Sequence, residues 1–172
     1  LASEFTSLMD AFRYPEKLTD SQLTEIRRIK ARVETERLPQ GADPARHLKL
    51  GKGSISDVEW LVQLFQLRNA FQYSKLRVLG TLEALDELES LGKISKQEAQ
   101  SLRAAWLLAS RCRSALVLAV DKLVDILPAD RKQLEAMARI LEYAPGSASR
   151  LEEDYLSTTR KARAVYEKLF AQ

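Results

Sequence analysis

The sequence is short of the residues on which most small active sites are built. It holds one cysteine and one histidine in 172 residues. A single thiol, Cys112, closes no internal disulfide, and a single imidazole, His47, anchors no multi-histidine metal site. Both scarcities suit a reducing compartment, and a cytoplasmic location is expected. Glycine and proline are also scarce, at 6 and 5. They stand at punctuation points, which argues against a turn-rich β fold. There is no long apolar run. The most apolar stretch, Ser114 to Val120, is bounded by Arg111, Arg113 and Asp121 and falls far short of the roughly 20 residues a bilayer requires. Residues 1–15 lack the basic-then-apolar order of a secretory signal. The net charge of +3 is small and dispersed, so neither nucleic acid nor a membrane is expected as a partner. Phosphate-loop, dinucleotide-binding, C-x-x-C and H-E-x-x-H patterns are all missing.

What is present is helical. Hydrophobic residues make up 45% and charged residues 30%, enough to build a core. Residues 3–13 read as a short helix closed by Tyr14-Pro15. Four stretches have the spacing of a capping box, in which a Ser or Thr and an acid or amide three residues on satisfy each other's backbone N–H groups. They begin at Thr19, Ser56, Ser95 and Ser149. The first opens a helix to about Leu38, with Ile26, Ile29 and Val33 on one face and the pairs Lys30/Glu34 and Arg32/Glu36 on another. The second opens a helix to about Phe71. Thr81 starts a short helix stopped at Gly92, a candidate for the left-handed position after a helix end. The third box opens the longest helix, of about 30 residues to Leu127-Pro128. Its apolar positions Leu102, Ala105, Ala109, Cys112, Leu116, Ala119, Leu123 and Ile126 recur at intervals of three and four, the seam of a bundle helix. Leu107, Leu108, Val117 and Val120 lie off the seam, so this helix is expected to be central and apolar on more than one side. Cys112 is then an inert core thiol. Asp130 caps the next helix, to about Tyr143, and the last helix buries Tyr155, Ala162, Val165, Tyr166 and Leu169. The fold class is all-α: a bundle of about six to seven helices with one short strand-like segment near residues 47–50, where His47-Leu-Lys-Leu alternates polar and apolar. His47 is expected on the solvated face of that segment.

One constellation stands out: Lys49-Leu-Gly51-Lys-Gly53-Ser-Ile-Ser-Asp57-Val-Glu59-Trp60. Two readings are open. Glycines and a helix start can let backbone N–H groups cradle a phosphate, with Lys49 and Lys52 adding charge; or this is simply a tight turn before a helix. Asp57 and Glu59 are two apart and project to opposite sides of a helix, which disfavours a shared metal. Glu59 reads first as the carboxylate of the Ser56 box, Asp57 as an acid favoured in a helix's first turn, and Trp60 and Trp106 as packing anchors.

These residues also carry a family likeness. Residues 25–34, 49–60 and 62–67 resemble the bacterial glutamine synthetase adenylyltransferase/adenylyl-removing enzymes. The likeness continues through residues 81–85, 125–128, 154–155 and 159–165. Ser54 stands where that family has a second adjacent glycine, and would be strained if the position needs a positive φ. The resemblance implies a longer protein with two nucleotidyltransferase domains, each followed by a helical bundle. One half removes AMP from a tyrosine of glutamine synthetase by phosphorolysis; the other transfers AMP from ATP onto it with Mg²⁺. The PII signal protein and glutamine set the direction. Residues 1–53 would be the tail of the C-terminal nucleotidyltransferase domain and 54–172 the bundle after it. No residue matches the family's G-S…D-x-D signature, so this chain is expected to hold no catalytic residue and no metal ligand, to bind neither ATP nor Mg²⁺ alone, and to be inactive in isolation. Lys49, Gly51 and Gly53 are expected near nucleotide, and Ser56, Asp57, Glu59 and Trp60 as structural parts of the motif. The alternative is a non-enzymatic helical signalling or interaction module. A helical nucleic-acid binder is a distant third.

Overall fold

A computed structural model describes residues 2–120 and 124–171. Seven α-helices follow one another: α1 Ala2–Arg13, α2 Asp20–Glu36, α3 Ile55–Asn69, α4 Thr81–Ser90, α5 Lys96–Val120, α6 Arg131–Ile140 and α7 Ala148–Phe170, with a 3₁₀ turn at Ser74–Leu76. The all-α bundle expected from the sequence is the fold observed. Thr19 forms the expected capping box: its Oγ1 accepts the Gln22 N–H at 3.2 Å and the Gln22 side chain accepts the Thr19 N–H at 2.8 Å. Ser95 and Glu98 do the same for α5. Asp130 caps α6 through the Gln133 N–H. α4 ends on Gly92 at φ 64°, where the Lys93 N–H reaches back to the Leu88 carbonyl and closes the turn.

α5 and α7 form the central pair. Lys168 near the end of α7 meets Glu98 at the start of α5, so the two run antiparallel. Along them lie two apolar clusters. One joins α3, α4, the first half of α5 and the second half of α7, and includes Tyr14. The other joins the second half of α5, α6 and the first half of α7, and takes in Leu48, Ile55 and Leu127. Trp106 packs against both. The predicted seam of α5 is buried at Leu102, Ala105, Ala109, Cys112 and Leu116, and Leu123 lies outside the described residues. Burial pushes the Cys112 thiol up to about 12, consistent with an inert group.

Three expectations are corrected here. The long helix is described to Val120, and Ile126 is not on it: residues 124–127 are extended and cross residues 46–48. The Leu48 N–H donates to Asp125 O and the Leu127 N–H to Arg46 O. Residues 47–50 accordingly form no strand beyond a single antiparallel bridge, His47 to Ile126. The second apolar side of α5 is covered only in part: Leu108 and Val120 pack against the second cluster, while Leu107, Val117 and Leu118 are exposed.

Candidate functional site

The Lys49–Trp60 motif folds as a tight turn driven against α7. Gly53 has φ +72°, and a Cβ built on it would stand 1.9 Å from Thr159 O and 2.8 Å from Arg163 N, both backbone atoms of α7. A Cβ on Gly51 would meet His47 O at 2.2 Å. Both glycines are therefore required by backbone-to-backbone packing. Ser54 has φ −91°, so the positive φ falls on Gly53 and Ser54 is unstrained. Its hydroxyl donates to Leu48 O and accepts from the Tyr155 hydroxyl. The four N–H groups of the turn are all committed inside the protein: Gly51 to His47 O, Lys52 to Pro44 O, Gly53 to Asp57 Oδ2 and Ser54 to Gly51 O. None is left pointing at an anion. Lys49 and Lys52 also diverge. Lys49 lines a cleft with Arg37, His47 and Asp125, and Lys52 lines another with α7.

α3 begins two residues before the expected start. Its cap residue is Ser54, and Ser56 is the second residue of the helix, buried, with its N–H on Lys49 O. The expected Ser56/Glu59 capping box is thus not formed. Glu59 points to the Trp106 indole N–H, 3.4 Å away, while Asp57 points to the other side, as the spacing predicts. Trp60 is partly buried against the first core.

Asp57 is the centre of the site. It is 1% exposed, and its carboxylate takes Lys30 Nζ at 2.6 Å, Arg163 at 2.8 Å and the Gly53 N–H at 2.7 Å. Lys30, 2% exposed, also reaches Glu34 at 3.0 Å. Arg163 bridges Asp57, Glu34 and Glu167. Both cations lie over the Tyr166 ring, 5.6 Å and 4.9 Å from its centroid. One cluster so ties α2, the first turn of α3 and α7. Burial opposes the Arg163 charge, yet hydrogen bonds to Glu167, Asp57 and Glu34 outweigh it and raise its affinity for the proton. Burial likewise works against ionised Glu34, but Arg163 and Lys30 hold its carboxyl below the usual range. The Tyr166 hydroxyl is pushed up by burial and by the Asp57 and Glu34 charges. A buried set of this kind is costly to form and costlier to break.

Nothing in the local pattern points to Arg163 as a partner of Asp57, or to Lys30 beyond its pair with Glu34. The expected Lys30/Glu34 pair exists, with Lys30 buried and Glu34 partly so. The available signal was its register, since Lys30 lies between Ile26 and Val33 on the inward side of α2, while Ile29, expected on that face, is 41% exposed. His47 is corrected as well. It is buried, not solvated, and its Nδ1 accepts the Leu50 N–H at 3.0 Å and the Lys49 N–H at 3.3 Å. Burial depresses its pKa. At α7, Glu152 forms no box with Ser149. It pairs with Arg46 and Arg131, and the α7 start is held by Glu135, which accepts the Gly146 and Ala148 N–H groups.

Asp57 has both oxygens engaged by cations and an N–H, and Glu59 faces away, so the pair does not fit a metal ion. Among the described residues no group of three or more His, Cys, Asp or Glu side chains stands together to hold one. Among the described residues no helix is long and apolar enough to cross a membrane.

Fold and motif together define the class, an all-helical bundle clamped around a glycine turn and a buried ion cluster. The family model described as GlnD PII-uridylyltransferase matches residues 26–170, and the chain belongs to that family. It is similar to bifunctional glutamine synthetase adenylyltransferase/adenylyl-removing enzymes: 55% identical over 99% of its length to that of Leifsonia xyli subsp. xyli, 45% to that of Streptomyces avermitilis and 44% to that of Mycobacterium marinum. The chain spans 17% of the length of these relatives.

Proposed function

We propose that this chain is the C-terminal part of an enzyme that transfers AMP from ATP to a tyrosine of glutamine synthetase and, through its other half, removes it by phosphorolysis. The observation that carries the reading is likeness over 99% of the chain to enzymes of that name. Residues 1–53 are then the tail of the transferase domain and 54–172 its bundle, with the Lys30–Asp57–Arg163 cluster holding the two in register. This division gives the cluster a purpose: α2 is fixed to α3 and α7 by ion pairs that exclude water and so permit little play. Carboxylates elsewhere in the protein would hold Mg²⁺ on ATP, and PII and glutamine would act on the assembled enzyme in the cytoplasm. Any nearness of the turn to nucleotide would involve the Lys49 side chain, since the N–H groups of Gly51 and Gly53 are spent.

The test is labelled ATP with purified glutamine synthetase, supplied with the full-length protein or with this chain alone. Transfer by the full-length protein only is the expected result. Label transferred by the chain alone would overturn its inactivity, and an inert full-length protein would overturn the reading. The rival, a non-enzymatic interaction module, draws on the exposed apolar stripe Phe5, Leu8 and Phe12 of α1. A G-S…D-x-D signature encoded upstream separates the two.

A further inference from the structure

We propose that the cleft between residues 43–52 and the outer face of α7 is a binding site for a nucleoside polyphosphate, on the side of the turn away from Lys49. The cleft is about 500 Å³ in volume and is lined by four cations, Arg46, Lys52, Arg160 and Arg163, against two acids, Asp43 and Glu167. The hydrogen bonds sort these charges. Arg163 is occupied by Glu167, Asp57 and Glu34. Arg46 is held by Glu152 and by the carbonyls of Leu127 and Pro128. Asp43 accepts the Ala45 N–H within its own turn. The side chains of Lys52 and Arg160, both exposed, have no hydrogen-bond or ion-pair acceptor among the described residues.

Two unmatched cations therefore face a concave wall whose other cations are already fixed in place. That arrangement favours an anion without the cost of ordering the wall. Arg160 offers a planar fork suited to phosphate oxygens and Lys52 a mobile point charge. Leu156 and Ala164 on the same wall give an apolar surface for a sugar or base. The volume lies within the usual range for small-molecule sites of about 300–1,000 Å³, and a lone phosphate would fill little of it. The glycine turn contributes no N–H group; its part is to carry Lys52 to the rim. This site uses no residue of the buried cluster for ligand contact except the outer edge of Arg163. It does not depend on the adenylyl-transfer reading, because binding is read on the 172-residue chain itself.

The experiment is isothermal titration of the chain with ATP, pyrophosphate, inorganic phosphate and adenosine, in chelator so that no metal assists. Against the expectation drawn from the family resemblance that the chain alone holds no ATP, saturable one-to-one binding of ATP is expected, weakened about tenfold or more by the double substitution Lys52→Gln with Arg160→Gln. Lys132→Gln with Arg139→Gln on α6 changes the total charge equally and is expected to leave affinity within about twofold. Lys52→Arg with Arg160→Lys, which keeps both charges, is expected to retain binding, so a loss caused by misfolding is told apart. ATP binding tighter than pyrophosphate is the expected result, and equal binding of the two would overturn the assignment to a nucleoside polyphosphate. No saturable binding of any phosphate compound would overturn it, as would equal loss in the α6 control. An acidic peptide that displaces ATP as well as pyrophosphate does would also overturn it, making the cleft a protein-docking surface.

Discussion

α3 and α5 begin with the same chemistry, a serine followed three residues on by an acid, in opposite surroundings. At α5 the pair closes on itself: Ser95 Oγ accepts the Glu98 N–H and Glu98 accepts the Ser95 N–H, at an exposed corner where Lys168 adds a surface ion pair. At α3 the serine and the acid do not close on each other. The Ser54 hydroxyl gives its hydrogen to Leu48, and Asp57 reaches past the cap to Gly53, to Lys30 on α2 and to Arg163 on α7. Water makes the difference. An exposed N–H that loses its cap can still bond solvent, so a local pair is enough. A buried carboxylate has no such recourse, and its partners must be found wherever the chain brings cations.

The sharpest way to break the comparison is to neutralise both acids. Asp57→Asn strands Lys30 and Arg163 beside an amide and is expected to cost about 4 kcal/mol in chemical denaturation. Glu98→Gln, which leaves a capping amide, is expected to cost no more than about 1 kcal/mol. Equal losses would mean that burial of the cluster carries no weight. Next come the two glycines with positive φ. Gly53→Ala forces a Cβ onto the α7 backbone and is expected to cost about 3 kcal/mol. At Gly92, where a Cβ meets nothing within 4 Å, the same change is expected to cost only about 1 kcal/mol of left-handed strain. Thermal melts of the two variants read the difference directly.

His47 tests the turn from its other side. His47→Leu leaves the Leu50 and Lys49 N–H groups without their acceptor and is expected to cost about 2 kcal/mol, whereas His47→Asn, with an oxygen near the position of Nδ1, is expected to regain about half of that. Smaller again are the serines. Ser95→Ala is expected to cost about 1 kcal/mol, and Ser56→Ala, inside its helix and capping nothing, to stay within about 0.5 kcal/mol. The last contrast is acid titration. Hydrogen bonds from Lys168 and Ser95 lower Glu98 from 4.5 to about 2. A carboxyl depressed on folding gives stability that is complete above its unfolded value and is lost as pH falls through the folded one. Stability is therefore expected to drop between about pH 4.5 and 2, with a shallower decline in Glu98→Gln measured by urea unfolding at each pH.

Local rules read well where no distant partner competes for the residues concerned. The Thr19 and Ser95 boxes, the Asp130 cap and the Gly92 stop were all legible, because each closes within five residues. The seam of α5 was legible because burial on one side imposes the helical period. The boxes at Ser56 and Ser149 misled for one shared reason: Glu59 and Glu152 each face a partner distant in the chain, Trp106 for one and Arg46 for the other. The glycine pattern was recognised, but its cause was not. Nothing local says that Gly53 must clear the backbone of residue 159, more than a hundred positions away.

By itself the sequence determined the helices, most of their ends, the buried seam of α5 and the family to which the chain belongs. Those follow from period, caps and motif, all of which act over a few residues or are matched directly. Only the tertiary structure decided that Lys30 is buried, that Asp57 joins three helices, and that Lys52 and Arg160 share one cleft while Lys49 faces another. These are facts about which charges meet after the chain has closed. The energy that selects among such meetings depends on how much water remains between the partners, and that is set by packing rather than by spacing along the chain.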